Sequence, residues 1–482
     1  MLPAVIALLM LLSCTSGQNP AIQVILTNKG LQYGKHTGVG LIQEKLESIT
    51  LPDISGEVDI KIGRVHYTLT GIAVKQCDLP EPSVQFFQDA AGFKTSSLGL
   101  NAALAGGWRT RFGIIHDGGS FDMTMFGVDV TSVVGLGKDP DGHLFITSIS
   151  CDAVVGDVNI NFHGGASFMF QPFVRYFKGR IRNEIQSGIC SAVNGSVEKL
   201  ELHLQAMNVS FDVNEVLTLD LPLTGTPIID ASRLNLGLKG EFYSIRAHKE
   251  PPFKAQPFTM PQQPDFMLSV GLSDFTLNSA SYGYYSDGLL QILIDDSMIP
   301  PTSPIHLNTT YMGMFAPQLP EKFPGLLMDL QVYAREAPMF SFQSGAAKLI
   351  SLVDVKAFAI EPNGTQVPLF KLNVDSKFST KLWISGGSLK GSMTMDNFTV
   401  TLAASEVGQV KTDALERSLT VAIKATVLPK VNDALSKGWI LPRMKHAQLV
   451  NSVLKMEEVS DNKIAHYDVT GTFNWEHKGS LG

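Results

Sequence analysis

The chain has 482 residues, is 44% hydrophobic and 17% charged, and carries a formal net charge of −7. That length exceeds what one hydrophobic core ordinarily spans, so two domains are expected. Nucleic acid is excluded as a partner because phosphate backbones require a basic footprint, and residues 18–240 hold 17 Lys and Arg against 22 Asp and Glu.

The opening "MLPAVIALLMLLSCTSG" reads as a secretory signal over residues 1–17. Its apolar run from Ala4 to Leu12 is too short to span a membrane, and small residues follow it. Cleavage before Gln18 would leave a secreted, extracellular chain. A helix is expected from Asn28 to Ile49, with Ile42, Leu46 and Ile49 at helical spacing. Its first half places Gly30, Gly34 and Gly38 four apart, on one helical face. Each interior glycine costs roughly 1 kcal/mol relative to alanine, so that face must border something that leaves no room for side chains.

Strands follow with period two. "SFDMTM" sets Phe121, Met123 and Met125 on one face, and "GDVNINF" does the same with Val158, Ile160 and Phe162. The turn-like "KDPDGH" lies between them. A late helix from Met169 to Leu200 has an apolar stripe of Phe173, Phe177 and Ile181, flanked by Arg175, Lys178, Arg180 and Arg182. Those charges read as the wet face of a half-buried helix.

Residues 248–266, "HKEPPFKAQPFTMPQQPDF", contain five prolines and read as a semi-rigid linker. It divides the chain into segments 18–247 and 267–482. The second segment repeats the pattern of the first: an early helix over Leu272 to Leu289, alternating strands at Met328, Leu330 and Val332 and in "DNFTVTL", and a late helix over Asp413 to Trp439. "ICSAVNGSVEKL" and "VLPKVNDALSKG" share Val-Asn, at Val193-Asn194 and Val431-Asn432. Two copies of one α+β module are expected, each a twisted antiparallel sheet with helices.

No Gly-x-Ser-x-Gly elbow, His-x-x-x-His or Cys-x-x-Cys pattern occurs, so neither an enzyme nor a metal site is expected, and no cofactor. Asp139 and Asp141 lack the further oxygen ligands of a calcium loop and read as a turn. After signal cleavage Cys77, Cys151 and Cys190 remain, which implies one disulfide and one spare thiol. Asn194, Asn208, Asn308, Asn363 and Asn397 sit in Asn-x-Ser/Thr acceptor patterns.

Several unusual stretches occur in a fixed order: "KGLQYG", "LPDISG", "GEFYS", "PPF", "LSDFTLNSA", "DDSMIP", "KFPG" and "VLPKVNDALSKG". Together the chain resembles the lipopolysaccharide-binding protein and bactericidal/permeability-increasing protein family along nearly its whole mature length. The resemblance implies an elongated boomerang of two similar barrels, joined by a central sheet and the proline-rich linker. Each barrel would hold phospholipid in an apolar groove. Gly30, Gly34, Gly38, Ile42, Phe173 and Phe177 would then line the first groove, with close packing of the glycine face as the other reading. The family's single disulfide corresponds to Cys151 and Cys190, with a pairing through Cys77 as the alternative.

The family's lipopolysaccharide site uses cations at the N-terminal tip. The matching positions are Lys61 and Arg64 in "EVDIKIGRVHY", and Trp108, Arg109 and Arg111 in "GGWRTRFG". Arginine suits bidentate phosphate contacts. The expected function is lipopolysaccharide capture in innate antibacterial defence, with phospholipids and the bacterial outer membrane as further partners, and a host receptor engaged through the second half. The alternative is extracellular phospholipid transfer without lipopolysaccharide recognition.

Overall fold

A computed structural model describes residues 18–47, 50–60, 63–167, 171, 174–299, 306–440, 452–459 and 462–469. The signal segment, Lys61 and Phe173 lie outside the described residues, as do the surroundings of Gly38 and the side chains of Ile42 and Phe177.

The first half opens with strand β1 (Ile22–Thr27) and helix α1 (Asn28–Glu47), close to the helix read from the sequence. Long strands follow: β2 (Ile54–Ile60), β3 (Gly63–Asp78), β4 (Gly92–Phe112), β5 (Ile115–Lys138) and β6 (Leu144–His163). Each pairs antiparallel with the next. The alternation does what the sequence predicts. Phe121, Met123, Met125, Val158 and Ile160 are all buried, while Asp122 between them is exposed. Helix α2 (Val174–Gln205) packs on β6 and adds Ile181 and Ile185 to the same core. The sheet therefore closes over a helix, which is how a strand set with one apolar face removes that face from water.

The second half repeats this plan. Strand β7 (Arg233–Leu238) completes the first half's contribution, and β8 (Leu268–Ser273) and helix α3 (Asp274–Ser286) begin the second. Strands β9 (Gln291–Ile294), β10 (Leu327–Ala334), β11 (Ala346–Ile360), β12 (Gln366–Ser385) and β13 (Ser388–Ser405) pair in that order. Helices α4 (Thr412–Ala422) and α5 (Leu428–Lys437) run on through a single π-helical stretch, Ile423–Val427. Leu415 of α4 joins the second core, with Met328, Leu369 and Val400 from the sheet. Among the described residues the helices are few and the strands many, in two sheet-rich halves.

A central sheet joins the halves. Its strands run β7-β1-β8-β15-β14, where β14 is Ser452–Val459 and β15 is Asn462–Val469. Ile25 of β1 thus faces Asn235 on one side and Ser269 on the other. The proline-rich segment forms no helix or strand over residues 248–263, yet it is strapped to β1. Gln23 Nε2 donates to Phe258 O at 2.5 Å, Thr27 Oγ1 to Phe266 O at 2.5 Å, and Phe258 and Met260 bury against Ile25. Proline withholds its own N–H, so side chains of β1 supply the bonds.

The strap answers half of the glycine question. A Cβ on Gly30 would lie 2.3 Å from Met267 O, so the backbone after the linker occupies that space. At Gly34 a Cβ would meet nothing within 4 Å. The glycine face is packed at one end and open one turn later.

Cys151 is bonded to Cys190, with their Cα atoms 5.6 Å apart. The sequence places Cys151 at the end of a strand-like run; it lies inside β6, opposite Ser132. Cys77 is a free, buried thiol whose pKa is pushed up by burial, then by Glu47 and Asp78.

In the second half Asp354 is buried between Lys371 Nζ at 2.6 Å and Arg335 Nη1 at 3.4 Å. Burial pushes its carboxyl up, but Lys371, Tyr333 and Arg335 outweigh it and hold the carboxyl below the usual range. A depressed folded pKa contributes stability that is complete above the unfolded value of about 3.9 and is lost as pH falls through the folded value. Asp354→Ala is expected to cost about 2 kcal/mol at neutral pH, discounted because both cations remain partly exposed. Denaturant titrations across pH should show the gap from wild type closing below about pH 4. A gap independent of pH would mean that Asp354 acts by packing alone.

Candidate functional site

The stretch "WRTRFGIIHDGG" forms the end of β4, a tight turn and the start of β5. Phe112 pairs with Ile115, leaving Gly113 and Ile114 as the turn, with Gly113 at φ +61°. Glycine at the first turn position is what a two-residue hairpin of this hand requires. Ile114 is 96% exposed and Ile115 60%. Two adjacent isoleucines at the most exposed point of a hairpin give the fold nothing.

Behind this turn, strand alternation sorts the side chains. Trp108 is 2% exposed, sits edge-on to Phe162 at 5.6 Å and donates from Nε1 to His163 O at 3.1 Å. It belongs to the barrel core. The expectation that Trp108 stands beside the arginines on the surface is corrected: neighbouring residues of a strand point to opposite faces. Arg109 and Arg111 are both exposed, on the outer face. Arg109 lies opposite Thr68 of β3 and Gly118 of β5; Arg111 lies opposite His66 and His116.

Arg64 is on the same sheet but is already committed. Its Nε donates to Asp59 at 3.2 Å and its Nη1 lies 3.4 Å from Glu57, and the bond to Asp59 raises its pKa. Glu57 also pairs with His66 at 2.8 Å. Among the described residues no carboxylate lies within ion-pair distance of Arg109 or Arg111, so these two cations are available to an outside anion. The sequence reading missed His66, His116, Ile114 and Ile115. "RFGIIH" held the signal, since a glycine turn carrying Ile-Ile is an unusual choice for solvent.

The other expected positions are less concentrated. On α2, Lys178 pairs with Asp157 at 2.6 Å, Arg175, Arg180 and Arg182 are exposed, and Ile181 is buried. Asp139 receives His143 N at 2.8 Å and His143 Nδ1 at 2.9 Å, which closes the "KDPDGH" turn. Asn194, Asn208, Asn363 and Asn397 are exposed. Asn308 is half-buried, its Oδ1 capping a short helix by accepting from Tyr311 N at 2.7 Å. Among the described residues no helix is long and apolar enough to cross a membrane.

Comparison with known proteins agrees along the chain. Residues 30–203 match the N-terminal domain of the LBP / BPI / CETP family, and residues 211–459 match its C-terminal domain. A bactericidal permeability-increasing protein of Sebastes schlegelii is 36% identical, covering 94% of this chain and 96% of its own length. The lipopolysaccharide-binding protein of Homo sapiens is 29% identical over 95% of this chain and 96% of its own. A crystal structure of lipopolysaccharide binding protein superposes with a TM-score of 0.57 at 26% identity, covering 94% of this chain and 99% of that one. The ordered sequence signatures, the two sheet-rich halves and these matches agree: the chain belongs to the LBP / BPI / CETP family.

Proposed function

We propose that this is a secreted lipid-binding protein of innate immunity that captures bacterial lipopolysaccharide at the tip of its first half. The observation that carries the reading is one hairpin bearing two uncommitted arginines and two exposed isoleucines. Lipid A combines phosphates with acyl chains. Arg109 and Arg111 meet the phosphates through charge-assisted, fork-like contacts, and Ile114 and Ile115 enter the acyl layer of the outer membrane. Lys61 and Arg64 have lesser roles, Arg64 because Asp59 and Glu57 already offset it. Phospholipid occupies the apolar groove of each half. In the first it runs along the bare face of α1 beyond Gly34. The names of the relatives support the same reading. The linker at 248–266 separates the lipid-binding halves, and the second half engages a host receptor.

The test is Arg109→Ala combined with Arg111→Ala. Two charge-assisted contacts at a wet tip contribute roughly 1.5 to 3 kcal/mol each before screening. Affinity for lipopolysaccharide should fall at least about tenfold, since 1.4 kcal/mol is one decade. Bound phosphatidylcholine should be unchanged, because it carries no net charge, and wild-type binding should weaken with added salt. Arg64→Ala should matter less. Equal binding by the double variant would place the site elsewhere.

The acidic balance of the first half, net −5 over residues 18–240, favours a second reading, phospholipid transfer between extracellular particles. Wild-type protein that exchanges phospholipid and binds no lipopolysaccharide would establish it.

A further inference from the structure

A groove of about 490 Å³ lies between the C-terminal end of α3, the start of the linker and the β9–β10 edge of the second sheet. Its walls are aromatic. Tyr282 and Tyr285 of α3 lie with ring centroids 6.3 Å apart, and Phe253 of the linker backs Tyr282 edge-on at 6.3 Å. Tyr285 is fixed by its hydroxyl, which donates to Arg335 O at 3.1 Å. Tyr333 of β10 also lines the groove, with Lys356 Nζ 5.3 Å from its ring centroid. Gln291 lies directly opposite Tyr333 in the sheet, and Gln331, two residues before Tyr333, lies opposite Lys356. Alternation therefore puts these four side chains on one face.

The lining contains two lysines, Lys249 and Lys356, and no carboxylate. Asp354, the acid nearest along β11, is already held by Lys371 and Arg335. Aromatic faces, primary amides, hydroxyls and two cations form a set suited to one ligand class. Tyrosine rings accept the C–H faces of a sugar, Gln291 and Gln331 bond hydroxyls as both donor and acceptor, and the lysines meet an anionic substituent. An acyl chain would gain little here, because the lining offers little aliphatic surface.

We propose that this groove binds an acidic saccharide, a sugar bearing phosphate, sulfate or carboxylate. The proposal is independent of the hairpin tip. Two sources share this chemistry: host sulfated glycans and bacterial surface oligosaccharides.

Calorimetric titration of the full chain separates them. The probes are a heparin tetrasaccharide and a lipid-free bacterial core oligosaccharide carrying heptose phosphates, with maltotetraose and inorganic phosphate as controls. At least one acidic saccharide should bind, and the tighter one names the source. Lys249→Ala with Lys356→Ala should weaken that binding at least tenfold, while Lys437→Ala, an exposed lysine of α5 paired with Asp433, leaves it unchanged. Tyr282→Ala should weaken saccharide binding further than any inorganic phosphate response. The proposal is overturned if neither acidic saccharide binds, if the double-lysine variant binds as wild type does, or if phosphate or maltotetraose binds as tightly.

Discussion

Phe121→Ala should lower the stability of the first half by about 4 kcal/mol, the largest single-residue loss expected in this protein. Phe121 is fully buried and lies edge-on to Phe162 at 6.5 Å. Opposite it in β4 is Gly106, where an added Cβ would lie 2.9 Å from the Phe121 ring. The ring fills the space that Gly106 leaves, so the residue opposite it offers no side chain to fill the cavity. Removing it loses both transfer free energy and contacts. The measurement is a shift in the denaturation transition of the first half, with the second half's transition unmoved. Because Trp108 packs on Phe162, its fluorescence should report the loosening. A loss under 1 kcal/mol would mean that the β4–β6 core does not anchor the hairpin.

Cys151→Ser with Cys190→Ser should cost about 3 to 4 kcal/mol in the chain-entropy account, given a closed loop of this length. The bonded residues are 39 apart, one in β6 and the other on α2. The bond holds the helix against the sheet it plugs, so amide exchange should accelerate first along α2 rather than in β3–β5. Peptide mapping without reduction should recover the Cys151–Cys190 link. Alkylation of Cys77 should require unfolding, since burial keeps that thiol both inaccessible and protonated. Rapid labelling of native Cys77 would contradict this assignment.

The long strands were legible because period two survives locally. Phe121, Met123 and Met125 could be assigned to the inside without knowing what they face. Helix α1 was legible from its apolar half, and the lack of helix and strand over residues 248–263 from the prolines there. The partners of β1 were not legible. Pairing with β7 and β8 is decided by residues more than 200 positions away, beyond any sequence window. At the candidate site, Arg109 and Arg111 were reached through the resemblance of "GGWRTRFG" to the family's tip. Strand alternation should have turned Trp108 inward, but the same resemblance grouped it with the arginines. His66 and His116 were missed because only the register across β3, β4 and β5 places them beside Arg111. The groove at Tyr333 draws on the linker, one helix and three strands, none of them unusual alone.

The position of β1 has a consequence for how the chain is made. It precedes every other described strand, and it lies inside the central sheet with β8 as one neighbour. β8 is bordered in turn by β15, near the other end of the chain. The first-half sheet pairs sequential strands and can close during synthesis. The central sheet cannot close until β15, some two hundred residues after β8, has emerged. Until then the far edge of β8 is unpaired, the state in which nascent chains associate wrongly. Contacts this distant in sequence also form slowly. Joining of the two halves is thus expected to be the last step of maturation, and the step most in need of a chaperone.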